Sequence, residues 1–264
     1  MCAAVAVVAL SSPVSADSLG FRFADISFGA TSRDGDQLAQ SQGILNFAIT
    51  DVHGVQLDLA VVGYPDEFLG QLDAHVYMMP TDTAKYGLFG SLADMNGREA
   101  TIVMVGIEAI FALSGRTEVH GRAGLGMAMP GNMDFITASL GASHALNNQL
   151  AVFGDLTVTE VDEASLRAVA TSARLGARYQ PAGKAWEVSA SLVRDGLTGR
   201  DAAAFETRAE LAISLHLGAG GGAQRGLASH AFTNPQPFDP LLRRGIFLGV
   251  SAFQAPRQAL NRTP

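Results

Sequence analysis

Between Glu206 and Leu217 the chain reads ETRAELAISLHL, and counting every second residue sorts the stretch into two sets. Glu206, Arg208, Glu210, Ala212, Ser214 and His216 fall on one side; Thr207, Ala209, Leu211, Ile213, Leu215 and Leu217 fall on the other. Successive side chains of a β-strand point to opposite faces. A strict alternation over this length is therefore a long strand with a polar medium on one side and an apolar one on the other.

The pattern repeats along the chain, giving about twelve segments separated by turn signals. The first runs from Leu19 to Ala30, with Asp25 and Ser27 opposite Ile26 and Phe28, and a polar loop, RDGDQLAQSQ, is expected after it. Ile44 to Thr50 and VQLDLAVVG pair through Asp51-Val52-His53-Gly54 as a hairpin, and Asp58 lies on the polar face. LGQLDAHVYMM puts Asp73 and His75 on one face, and TDTAK turns into YGLFGSLAD. Thr101 to Leu113 is apolar on both faces except at Glu108, so strand and buried helix both remain open there. TEVHGRAGLGMAM sets Glu118, His120 and Arg122 against Val119, Ala123 and Leu125. Three more segments follow: Asp134 to Ala145; LAVFGDLTVT, with Asp155; and a tenth, with Arg174 and Arg178. AWEVSASLV, with Glu187, and a second long loop, DGLTGRDAAAF, lead to Glu206.

Alternation of this kind disperses apolar residues one at a time. It explains how 48% of the 264 residues can be hydrophobic and 16% charged, with mean hydropathy +0.20, while no run approaches the apolar length of a membrane helix. The net charge of −7 and pI near 5.3 exclude a phosphate-binding face, so no nucleic-acid partner is expected. Ala3 to Leu10 followed by Val14-Ser15-Ala16 fits an export signal cut before Asp17, although the first basic residue is Arg22. The single cysteine, Cys2, would leave with that signal. Residues 1–16 are thus read as a signal peptide, 17–218 as the strand domain, and 219–264 as a glycine- and proline-rich tail, periplasmic or at the barrel mouth.

These features resemble a Gram-negative outer-membrane β-barrel of the porin-like kind: all-β, antiparallel, about twelve strands, with lipid on the leucine face. The resemblance implies an outer-membrane location, insertion by the barrel-assembly machinery, contact with outer-membrane lipid, and passive diffusion of small polar solutes. Every second connection (DVHG, TDTAK, LSGR, LNNQ, PAGK) is compact, as periplasmic turns are, and the two longest lie in the other set. Tyr86, Tyr179 and Trp186 form a candidate periplasmic aromatic girdle, and both lysines, Lys85 and Lys184, are expected in turns beside it.

No cofactor or metal is expected. The glycine run Gly218 to Gly222 opens no helix, and the histidines are too scattered for a zinc set. Ser214 with His216, or Asp73 with His75, sketch a hydrolase, but no serine–histidine pair falls on the lipid face, so no enzyme is expected. The candidate lumen set is Asp25, Asp58, Asp73, His75, Glu108, Glu118, His120, Arg122, Asp155, Arg174, Arg178, Glu187, Glu206, Arg208 and Glu210. Acids outnumber arginines in it, which points to a cation-preferring channel. A plugged structural barrel, an outer-membrane hydrolase and a soluble periplasmic binding barrel are the alternatives.

Overall fold

The computed structural model describes residues 20–33, 36–64, 67–95, 100–129, 132–163, 166–218 and 226–244. Twelve strands form it: β1 (Gly20–Arg33), β2 (Asp36–Ala48), β3 (His53–Tyr64), β4 (Glu67–Thr81), β5 (Ala84–Met95), β6 (Ala100–Ala112), β7 (Thr117–Met129), β8 (Met133–Ala145), β9 (Leu150–Asp162), β10 (Arg167–Tyr179), β11 (Trp186–Gly199) and β12 (Ala203–Gly218). Each pairs antiparallel with the next, and β12 returns to β1 from Phe23↔Gly218 to Ser32↔Ala209, closing the barrel. Closure removes both sheet edges, so the ladder can satisfy the backbone without water. A thirteen-residue strand such as β8, rising ~3.3 Å per residue and tilted by ~40°, spans ~33 Å, about the hydrocarbon thickness of a bilayer.

The alternation decides which face meets lipid. Leu59, Leu88, Leu140 and Leu175 stand outward at 65%, 63%, 66% and 71% exposure. A soluble barrel would turn these side chains inward, so that alternative is overturned. Tyr86, Tyr179 and Trp186 lie on the outer face at the end where β1 begins and β12 ends, called here the terminus end. Phe21 and Phe111 share that rim.

Three connections at the terminus end are the same four-residue turn, over 49–52, 113–116 and 146–149. Thr50, Ser114 and Asn147 hold the second position, and each side-chain oxygen accepts two backbone N–H bonds from the residues that follow. The far end departs from expectation. RDGDQLAQSQ and DGLTGRDAAAF are mostly strand, leaving connections of two and three residues, 34–35 and 200–202, instead of long loops. Polar side chains on both faces do not stop a strand whose neighbours complete its ladder.

Lys85 is also corrected. It lies in β5, fully buried and pointing inward, whereas Lys184 is in the β10–β11 turn. The segment around Glu108 is strand β6 and not helix. Its second apolar face has a cause inside the barrel. From the terminus end, the described tail runs through the lumen: a 3-10 turn (Leu227–Ser229), an extended stretch, and a short helix, α1 (Asp239–Leu242). At the far end Phe238, Leu241 and Leu242 pack against Met95, Ile102, Met104, Phe135 and Leu197. Burying three large apolar side chains is worth about 5–9 kcal/mol before the cost of ordering the tail. The signal region and the last part of the tail, 245–264, lie outside the described residues.

Candidate functional site

The lumen is divided by the tail, and the inward-facing charges fall into three groups. The first is sealed beneath the tail. Asp58, Asp73 and His75 are fully buried and Glu108 nearly so. His75 Nδ1 lies 2.6 Å from Glu108 Oε1, and its Nε2 lies 3.3 Å from Asp58 Oδ2. Arg122 NH2 donates to Glu108 Oε2 at 2.9 Å. Phe232 of the tail stacks on the His75 ring, with centroids 5.7 Å apart and planes 7° apart. Lys85 Nζ donates to the His230 carbonyl at 2.6 Å and lies over the rings of Tyr77 and Phe232. A buried ammonium is tolerable when a carbonyl and two π faces replace water.

The second group latches α1 at the far end. Arg208, itself buried, reaches Asp195, Glu210 and Asp239; the distances to the last two are 3.1 and 2.8 Å. Tyr64 donates to Asp239 Oδ1 at 2.9 Å, and Arg243 Nε donates to Asp239 Oδ2 at the same distance. Arg244 lies 3.6 Å from Glu206. Burial pushes the Asp239 carboxyl up, but Arg243 and Arg208 outweigh it and hold it below the ordinary 3.8. A carboxyl with a depressed folded pKa stabilises the docked tail fully above its unfolded pKa, and loses that contribution as pH falls through the folded one. Protease protection of the tail should therefore hold at neutral pH and fail only on acidification below the ordinary carboxylate range. Asp239→Asn should weaken protection at neutral pH and flatten its pH profile.

The third group lines open space. Two adjoining cavities of about 310 and 300 Å³ lie between the tail and the wall. Asp25, Glu118, His120, Arg122, Asp155, Arg174, Arg178 and Glu187 face the first of them. His216 Nδ1 meets Asp25 and His120 Nε2 meets Asp155, each at 2.6 Å; Arg178 donates to Ser143 at 2.7 Å, and Arg174 lies 3.3 Å from Glu210. Glycine at 141 lets the His120–Asp155 pair cross β8, because a Cβ there would collide with both side chains.

Taken together, the sequence-derived lumen residues do not form one wall. The hydrolase sketches come apart as well: Asp73 and His75 are sealed, with Asp73 bonded to Gln71 and His75 lying between Asp58 and Glu108. Among the described residues, no three histidine, cysteine or acidic side chains are arranged to hold a metal ion.

Several residues that build the site escape a reading based on charge: Gln56, Gln71, Lys85, Tyr64, Asp195 and Asp239. One signal was present. Gln-Leu-Asp occurs at 56–58 and again at 71–73, and β3 and β4 place Asp58 directly opposite Asp73.

No protein-family model and no curated protein matches the chain. Solved structures do match in fold. An outer-membrane channel from Pseudomonas putida F1 superposes with TM-score 0.55 at 15% identity, over 76% of this chain and 96% of that one. The KdgM porin, solved in complex with disordered oligogalacturonate, gives 0.51 at 8%, over 72% and 98%. The NanC porin gives 0.51 at 9%, over 73% and 98%. At such identities the likeness is one of fold, and what the chain shares with these proteins is a closed, porin-like antiparallel barrel.

Proposed function

We propose that the protein is an outer-membrane channel for passive movement of small polar solutes, and that the solute path runs beside the C-terminal tail. The observation that carries this reading is the pair of adjoining, charge-lined cavities between the tail and the wall. A purely structural barrel could fill its whole interior with wall side chains and its own tail, as the region around Asp58 and His75 is filled. The apolar outer face, the closed ladder and the fold shared with channels support outer-membrane residence. Export through a signal peptide and insertion by the barrel-assembly machinery belong to the same proposal. Nothing in the site favours an enzyme over a channel.

Outside the sealed group, the first cavity is faced by four carboxylates (Asp25, Glu118, Asp155 and Glu187) and three arginines (Arg122, Arg174 and Arg178). Acids outnumber arginines there, which supports a mild cation preference. Asp58 and Asp73 take no part in it, because the tail covers them.

Planar-bilayer recording tests the proposal. The full-length protein should give small discrete conductance steps with a cation-selective reversal potential in a salt gradient. Deleting 219–264 should enlarge the steps several-fold, provided the variant still shows the heat-modifiable migration of a folded barrel. Asp25→Asn with Asp155→Asn should move the reversal potential towards zero. Silence from both the intact and the tail-less barrel would discard the channel, and anion selectivity would discard the acidic wall. A barrel closed by its tail and used for contact with other surface components is the second reading. It is favoured by the packing of Phe238, Leu241 and Leu242 across the far end, and conductance that appears only after tail deletion would support it.

A further inference from the structure

The tail is held in an unusual way for a packed segment: the wall reads its backbone. Between His230 and Pro235 the chain is extended and makes no secondary structure of its own. Four of its carbonyls are taken by wall side chains. Lys85 donates to His230 O, Gln56 to Phe232 O, Arg122 to Thr233 O, and Gln71 to Pro235 O. Gln56 also accepts from the Phe232 N–H at 2.9 Å, so one side-chain amide closes both main-chain bonds of that residue as a neighbouring strand would.

The two glutamines are aimed by a repeated device. In each Gln-Leu-Asp, the aspartate two residues on holds the glutamine Nε2 between its oxygens, at 2.9 and 3.0 Å for Gln56 and at 3.0 Å for both bonds of Gln71. Because Asp58 and Asp73 are opposed across antiparallel strands, Gln56 and Gln71 stand four residue steps apart along the wall, about 13 Å. The carbonyls they bind are three residues apart in an extended chain, about 10 Å. Side chains of the segment add to these contacts: His230 pairs with Glu118, and Asn234 Oδ1 accepts from Gln42 at 2.6 Å. Phe232 lies against His75 and Tyr77, Phe238 packs edge-on to Phe135 with ring centroids 4.6 Å apart, and Asp239 meets Tyr64 and Arg208.

We propose that this wall is a binding site for extended polypeptide, that residues 230–239 are its tethered ligand, and that peptides from outside the chain compete for it. The ligand class is an extended peptide with an aromatic residue six positions before an aromatic–acidic pair, as in Phe232, Phe238 and Asp239. This deepens the channel proposal, since such a ligand must reach the lumen, but binding can be read without any conductance.

A protease site inserted between Gly218 and Gly226 of the full-length chain, cut after the barrel has folded, frees the tail without removing it. A fluorophore-labelled synthetic peptide of residues 226–244 should then bind in micelles with a saturable rise in anisotropy, absent from the uncut protein, and displace the original tail. A scrambled peptide should not bind. N-methylation at Phe232, which keeps the side chain and puts a methyl in place of the N–H given to Gln56, should weaken binding at least about tenfold. Gln56→Leu with Gln71→Leu in the barrel should do the same. Absence of saturable exchange, equal binding of the scrambled peptide, or full affinity of the N-methylated peptide would overturn the proposal. Peptide exchange in a barrel that stays silent in bilayers would sink the channel and leave the peptide site standing.

Discussion

Arg208→Ala is expected to lower the free energy of unfolding by about 3–5 kcal/mol, the cost of leaving buried carboxylates without their cation. Arg208 is 5% exposed and serves Asp195, Glu210 and Asp239 at once, so its loss affects two strands and the tail together. Asp239 would keep Arg243, and Glu210 would keep Arg174, whereas Asp195 would lose the ion pair it makes with Arg208. Denaturant titration of the protein folded into lipid vesicles, followed by the fluorescence of its single tryptophan, Trp186, measures this. The exposed ion pair of Arg167 with Asp162 is the control: solvent screens it, and Arg167→Ala should leave the midpoint where it was. If Arg208→Ala were equally silent, the far-end cluster would be hydrated and the tail would not be latched there.

Leu175→Arg should destabilise the folded barrel by about 2–4 kcal/mol, while Leu113→Arg should cost only about 0–1 kcal/mol. The two leucines are almost equally exposed, at 71% and 65%. What separates them is depth: Leu175 lies well inside β10, and Leu113 lies in the β6–β7 turn at the rim. In water both changes would be nearly neutral surface substitutions. In a bilayer only the deeper guanidinium must be carried into hydrocarbon. Equal effects in lipid vesicles would therefore remove the lipid belt from the outer face, whatever the barrel's topology.

The alternation in Glu206 to Leu217 was legible because strand faces repeat every two residues, a strictly local rule. The same rule placed Asp25, Asp155 and Glu210 inward, and Phe28, Leu125 and Leu211 outward, without any knowledge of partners. Turn chemistry was local too: Thr50, Ser114 and Asn147 each bond to backbone two or three residues away. Closure between β1 and β12 followed from the need to hide two sheet edges.

Which inward side chains face open space was decided only by the tertiary structure. Gln56 and Phe232 are 176 residues apart in the chain, and no periodicity links them. The apolar inner face of β6, the burial of Lys85 and the sealing of Asp58, Asp73 and His75 all depend on that distant segment entering the lumen. A strand pattern says which way a side chain points. Whether it meets water, a neighbour or a returning stretch of chain depends on what fills the space it points into, and here that space is shared between two charge-lined cavities and the protein's own tail.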